Sequence, residues 1–195
     1  MSKTGNLFIV AAPSGTGKTS LVKALIEKVD GLKISISYTT RPPRPGDQDG
    51  ADYFFIDEAQ FKQMATAAAF LEHAEVYGYH YGTAKDWVMQ QLDAGIDVLL
   101  EIDWQGAKQI RALFPPALSI FILPPSMVAL RERLLKRRQD EAAVVSERLA
   151  MAKAEIEHYN EFNYLVVNDD FQLRGLITAK DIQKSKDYPL ACKDS

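Results

Sequence analysis

One cysteine, three histidines and no apolar run of membrane-spanning length set the first limits on this chain. A lone thiol, Cys192, can form neither an intrachain disulfide nor a multi-cysteine zinc site. His73, His80 and His158 have no carboxylate or cysteine companions at ligand spacing, so each reads as a surface or packing residue. Basic residues are in short supply too. The 23 Lys and Arg stand against 26 Asp and Glu, a formal net charge of −3, which opposes a general nucleic-acid surface. The start, Met1-Ser2-Lys3-Thr4-Gly5, lacks the apolar segment of a secretory signal, so a cytoplasmic location is expected, with no membrane partner. Internal repeats and long low-complexity tracts are also missing.

What remains is a chain of 195 residues, 47% hydrophobic and 25% charged, long enough for one well-buried core with inserted subdomains. Its organising stretch is Asn6 to Val29. The apolar run Leu7-Phe8-Ile9-Val10-Ala11 meets the loop Ala12-Pro13-Ser14-Gly15-Thr16-Gly17-Lys18-Thr19 and then a periodic helix. The loop fits the phosphate-binding pattern G-x-x-x-x-G-K-[ST], with Ala12 in the first position. Gly15 and Gly17 can take positive φ and turn successive N–H groups onto a polyphosphate, and the following helix adds its dipole. Lys18 then meets the β- and γ-phosphates, the Thr19 hydroxyl holds Mg²⁺, and Ser14 to Ser20 line the ATP phosphates. Leu21, Val22, Leu25, Ile26 and Val29 make one apolar helical stripe, closed by Gly31. A strand before the loop and an amphipathic helix after it are the context that separates this motif from a chance match.

Ile34 to Tyr38 alternates like a strand and leads into Thr39-Thr40-Arg41-Pro42-Pro43-Arg44-Pro45-Gly46. In polyproline II geometry Arg41 and Arg44 point the same way, roughly 9 Å apart, which suits a phosphate. The same segment also reads as an exposed turn or a ligand for a proline-binding module. Tyr53 to Ile56 reads as a strand, and a helix from about Glu58 places Phe61, Met64 and Ala68 on one face. Tyr77 to Thr83 reads as an aromatic, glycine-rich loop whose tyrosines either bond a ligand or cover a small core.

A helix over 84–94 precedes Ile96 to Leu100, an almost continuous apolar run that delivers Glu101 and Asp103 at its end. That is the pattern of a central parallel strand, and ligands of open α/β sheets sit at such edges. Ala107 to Leu113 reads as a short helix and Ser119 to Leu123 as another buried strand. Ser126 caps a helix with Met127, Leu130 and Leu134 on its apolar side and Arg131, Arg133, Lys136, Arg137 and Arg138 elsewhere. Asp140 caps a second helix with Val145, Leu149, Ala152, Ile156 and Tyr159 in register, from which Arg148 projects. The pair reads either as a lid over a nucleotide or as a solvated basic face. Tyr164 to Asn168 supplies a last strand.

With these pieces placed, residues 5–171 closely resemble the guanylate kinase family. The shared motifs are Ala12 to Thr19, Ser37 to Gly46, Phe70 to Glu75, Tyr81-Gly82-Thr83, Ile102 to Ala107 and Val167 to Asp170. The resemblance implies an α/β fold of P-loop NTPase type, a parallel sheet flanked by helices. It implies one domain over 1–170, with a core of 1–33, 87–124 and 159–170, a GMP-binding insert at 34–86 and a helical lid at 125–158. The implied reaction moves the γ-phosphoryl of ATP, with Mg²⁺, onto GMP. By the same resemblance Arg41, Arg44, Tyr53 and Tyr81 bind the GMP phosphate, and Ser37, Glu72, Thr83 and Asp103 read guanine. Lys18, Arg137 and Arg148 then act on the transferring phosphoryl group, and Glu101 stands near the metal. Non-catalytic relatives of the family typically lack the loop lysine and the lid arginines; both are present here. A kinase for another nucleoside monophosphate is opposed by Glu72 and Asp103.

The chain departs from the family at three places. Glu101 stands where many relatives have Asp, Arg138 where a glycine commonly follows the lid arginine, and 171–195 does not look like the closing helix. Leu173 to Ile182 and Tyr188 to Asp194 instead resemble a fragment of inosine-monophosphate dehydrogenase, which implies a foreign tail without a dehydrogenase site.

Overall fold

The fold is seen in a computed structural model that describes residues 4–136, 142–169 and 177–178. Arg137, Arg138, Asp140, Asp170, Cys192 and most of the stretch from Phe171 onward lie outside the described residues. The elements in chain order are β1 (Leu7–Ala11), α1 (Lys18–Ile26), β2 (Leu32–Ser35), β3 (Tyr38–Thr39), β4 (Phe54–Phe55), α2 (Glu58–Thr66), β5 (Phe70–Val76) and β6 (Tyr79–Ala84). They continue with α3 (Lys85–Asp93), β7 (Asp97–Glu101), α4 (Trp104–Leu113), β8 (Leu118–Leu123), α5 (Met127–Lys136), α6 (Ala142–Ile156), a 3₁₀ turn (Tyr159–Glu161), β9 (Tyr164–Val167) and β10 (Ile177–Thr178). Their contacts gather into two units, one formed by the chain up to Val10 with Val22–Leu118, the other by Ala11–Leu21 with the chain from Ser119.

In the first unit β7 pairs in parallel with β1, Leu7 opposite Val98 and Val10 opposite Glu101, and with β2, Lys33 opposite Val98. Val98, Leu99 and Leu100 are all buried, which is why the run carries no polar alternation. The unit also holds a 4-stranded sheet in the order β4-β3-β6-β5. Phe61 stacks on Phe70 at 4.6 Å and on His80 at 5.2 Å between ring centroids, giving this sheet an aromatic core, and Tyr38 stacks on the exposed Phe54 at 4.8 Å.

Three expectations change here. Tyr77 to Thr83 is not a loop: Tyr77 and Gly78 take φ of 54° and 76° and turn the chain, and β6 then runs antiparallel to β5 from Val76↔Tyr79 to Phe70↔Ala84. Successive left-handed residues suit the twist of a hairpin, and Tyr79, Tyr81 and Thr83 alternate with His80, Gly82 and Ala84 as a strand requires. The single strand expected over 34–38 is divided, with β2 pairing with β7 and β3 pairing with β6 and β4. Helix α1 ends at Ile26, so Val29 falls outside the stripe and is 42% exposed.

In the second unit β8 and β9 are parallel, Ile120 opposite Tyr164, and β10 runs antiparallel on β9 with Ile177 opposite Leu165. Ser126 caps α5 as expected, its Oγ accepting from Ala129 N at 3.0 Å. Helices α5 and α6 close on Leu130, Leu134, Val145 and Ala152, with Met127 and Leu149 at the margin. Truncating Leu134 to Ala in such a cluster costs about 2–5 kcal/mol.

Candidate active site

The phosphate loop lies in the second unit. Gly15 and Gly17 both have φ of 89°, the left-handed backbone that lets the chain curl at Ser14–Lys18. Thr16 is fully buried and its hydroxyl donates to Pro13 O at 2.8 Å, so its side chain is used inside the loop. Helix α1 opens at Lys18, with Leu21 N donating to Gly17 O at 3.1 Å, and Lys18, Thr19 and Ser20 occupy its first turn. Adjacent N–H groups at a helix start make a ready anion site.

Sequence reasoning missed what holds this loop. Asn168, 5% exposed, donates through Nδ2 to Thr16 O at 2.6 Å. Arg133 donates to the carbonyls of Asn168 at 2.9 Å, Asp169 at 2.7 Å and Thr16 at 3.4 Å. Arg133 is therefore a brace and no part of a solvated basic face; the charge pattern alone could not tell the two apart. Helix α5 meets the loop as well, because a Cβ at Gly15 would lie 2.9 Å from Leu134 Cδ2 and 3.1 Å from Leu130 Cδ1. Arg148 stands on α6 in the same unit, half-buried.

The remaining candidate residues lie in the first unit and form two groups. In one, the Arg41 guanidinium is 7% exposed, with its Cζ 5.3 Å from the Tyr53 ring centroid and 5.6 Å from that of Phe55. Arg41 Nη2 donates to Asp47 Oδ2 at 2.8 Å, and the same oxygen accepts from Arg44 N at 2.8 Å. Tyr81 meets Tyr53 edge-on at 5.8 Å. Arg44 itself is exposed, so the two arginines share the segment but differ in environment. Burial works to lower the Arg41 pKa, but Asp47, with Tyr81 and Tyr53 adding, outweighs it and holds the guanidinium above its ordinary value. Burial, reinforced by Glu101 and Tyr81, pushes the Tyr53 phenol up to about 12, so it stays an O–H donor at neutral pH. For Asp47, burial raises the pKa, yet the Arg44 N–H and the Arg41 guanidinium bring it below the ordinary range.

In the other group Glu72 is 4% exposed and faces Thr83 across the β5–β6 ladder, where Thr83 Oγ1 donates to Glu72 Oε1 at 2.6 Å. Asp103 caps α4, its Oδ1 accepting from Gly106 N at 2.9 Å and its Oδ2 from Gln105 Nε2 at 3.1 Å. The helix thus begins at Trp104, earlier than the expected Ala107, and Asp ahead of an apolar-periodic run was the available signal. Ser37 is buried beside β3, and its carbonyl accepts from Phe54 N at 2.9 Å. Glu101 ends β7, half-buried. Arg137 is outside the described residues. Among the described residues no group of three or more His, Cys, Asp or Glu could hold a metal, and no helix is long and apolar enough to cross a membrane.

The guanylate kinase family model matches residues 4–179. A guanylate kinase of Coxiella burnetii is 65% identical over 184 residues, covering 92% of this chain and 89% of the relative. A guanylate kinase of Legionella pneumophila is 59% identical, covering 94% and 90%. Among solved structures, the crystal structure of guanylate kinase from Anaplasma phagocytophilum aligns with a TM-score of 0.71 at 34% identity, over 87% of this chain and 80% of that one. The α/β fold, with its mostly parallel sheet flanked by helices, is therefore shared. The chain belongs to the guanylate kinase family.

Proposed function

We propose that this chain transfers the γ-phosphoryl group of ATP to GMP, giving ADP and GDP. The bond from the γ-phosphorus to the β,γ-bridging oxygen breaks, and a bond from the same phosphorus to a GMP phosphate oxygen forms. The observation that carries the reading is the buried Glu72 carboxylate, held by Thr83 and close to Asp103, in a chain that also has the phosphate loop. Guanine presents donors at N1 and on its 2-amino group that carboxylates accept; adenine has neither. Arg41 and Arg44, with Tyr53 and Tyr81, bind the GMP phosphate, the guanidinium charge and the protonated phenol supplying donors. Ser37 completes the base-reading set. Ser14 to Ser20 hold the ATP phosphates, and Lys18, Arg137 and Arg148 stabilise charge on the transferring group. Residues 34–86 act as the GMP-binding insert and 125–158 as the lid.

The donor set suits Mg²⁺. Thr19 offers one hydroxyl oxygen and Glu101 a carboxylate, and Mg²⁺ takes few protein ligands beside phosphates and water. When bound, the cation neutralises phosphate charge. A cytoplasmic setting goes with the reading, since a single cysteine leaves no intrachain disulfide.

The test is a coupled ADP-release assay with MgATP and each of GMP, AMP, UMP and dTMP. GMP is expected to be preferred by orders of magnitude; an equal rate with another acceptor, or no turnover at all, would reject the reading. The second outcome would favour a non-catalytic module, against which Lys18 and Arg148 already argue.

A further inference from the structure

Gly106 sits in the first turn of α4, buried, and its φ is not positive. Nothing in the backbone conformation asks for glycine, and glycine weakens a helix relative to alanine. The reason lies in what approaches it. A Cβ at 106 would overlap Glu72 Oε2 outright and would stand 3.0 Å from Glu72 Cδ and 3.4 Å from Asp103 Oδ1. The space of a side chain at 106 is taken by the Glu72 carboxylate, whose other oxygen is bonded by Thr83.

Of the two, the helix is the less free to step aside. Helix α4 is tied to the outer edge of β5, the strand that carries Glu72. Gln109 Nε2 donates to His73 O at 2.8 Å, its Oε1 accepts from His73 N at 3.3 Å, and Gln105 Nε2 donates to Glu75 O at 3.0 Å. A shift of the helix would strain these bonds, so a methyl at 106 would be accommodated by moving the Glu72 side chain.

We propose that Gly106 is a specificity-determining position of the base-reading pocket: its missing Cβ seats the Glu72 carboxylate against the start of α4. Acting through that carboxylate, it sets the preference for a purine with N1–H and 2-amino donors. This rests on the reading of Glu72 as a base reader. Gly106 positions Glu72 and needs no contact with the substrate itself.

The experiment measures kcat and KM for GMP and AMP in Gly106→Ala, Glu72→Gln and the double variant, with KM for MgATP alongside. Displacing a reading group by about an ångström can cost up to a hundredfold. Gly106→Ala is therefore expected to raise KM for GMP about tenfold or more and to lower the GMP-over-AMP ratio of kcat/KM. KM for MgATP should stay where it was, which a general loosening of the fold would not allow. In the Glu72→Gln background the alanine should change the ratio little further, because both act through one group. If Gly106→Ala alone does not fold, a Glu72→Ala/Gly106→Ala protein that does fold upholds the collision, and one that does not overturns it. A folded Gly106→Ala enzyme with the wild-type ratio also overturns the proposal, provided Glu72→Gln shifts that ratio. If Glu72→Gln leaves the ratio unchanged, it is the base-reading role that fails.

Discussion

The phosphate loop and the proposed base-reading pocket are built on opposite principles. The loop is one run of consecutive residues, and its proposed anion site is backbone turned by Gly15 and Gly17. The proposed pocket is collected from β5, β6 and α4, and its specificity would rest on side chains, the buried Glu72 held by Thr83 and the half-buried Asp103 by the cap it forms. A backbone site recognises charge and geometry common to every nucleoside triphosphate. A side-chain site recognises one base, and it is exposed to any neighbour that changes volume.

The largest effect should follow from breaking the one charged side chain of the loop. Lys18→Met is expected to lower kcat/KM by about a hundredfold or more, since a lost contact to developing phosphoryl charge is worth several kcal/mol. Undiminished turnover would remove Lys18 from the machinery. Next come the arginines, which sharpen the comparison by kinetic pattern. Arg148→Ala and Arg137→Ala should lower kcat by about tenfold to a hundredfold with little change in KM for GMP, because their target charge develops only in the transition state. Arg41→Ala should instead raise KM for GMP. Identical patterns from the two classes would show that the division of roles is wrong. In the pocket, Glu72→Gln is expected to narrow the GMP-over-AMP ratio by about tenfold or more, because a carboxylate oxygen accepts the donors of guanine, which adenine lacks, and a neutral amide accepts them less well.

How much of this was legible follows from the same contrast. The phosphate loop could be read directly, since a local backbone motif leaves its signature in adjacent residues. The central strand at Val98–Leu100 and the α5 and α6 stripes were equally plain, as burial imposes period on sequence, although Tyr159 of the expected stripe falls beyond α6 in the 3₁₀ turn. The pocket was not readable from spacing, because Glu72 and Gly106 meet only through tertiary packing; resemblance named Glu72 and Asp103, and nothing pointed to Gly106. Strand β6 was read as part of a loop over Tyr77 to Thr83 because glycine and tyrosine masked its alternation, although Tyr77-Gly78 was a usable turn signal. The hold of Asp47 on Arg41 and Arg44 came only with the structure.

That hold has a pH signature. The folded state keeps Asp47 below the ordinary carboxylate value of 3.8, the Arg44 N–H and Arg41 outweighing burial. A depressed pKa contributes stability that is fully present above the unfolded value and is lost as pH falls through the folded one. Asp47→Asn should therefore be less stable than wild type at neutral pH by about 1 kcal/mol, with the gap closing below about pH 4. Urea midpoints between pH 7 and pH 2 would show it. A gap independent of pH would mean that the charge on Asp47 contributes nothing.

The smallest effect is expected at the C-terminal end. From about Phe171 the chain reads as a foreign tail: Ile182 falls opposite Leu173 on a helical wheel, Gly175 interrupts the turn and Pro189 ends any helix. Yet Ile177–Thr178 pairs antiparallel with β9, and the family match runs to residue 179. Two truncations separate these readings. Deleting 180–195 leaves β10 in place, whereas deleting 174–195 removes it and bares the edge of β9. Strand β9 keeps its parallel pairing with β8, and its Leu165 and Val166 are buried, so among the described residues the loss is a short edge ladder. The longer deletion should lower the melting temperature by a few degrees, as about 1 kcal/mol does in a chain of this size, and keep kcat within about twofold. The shorter one should change neither. If removing 180–195 already abolished folding or turnover, the end of the chain would be an integral element of the kinase, and the tail reading would be discarded.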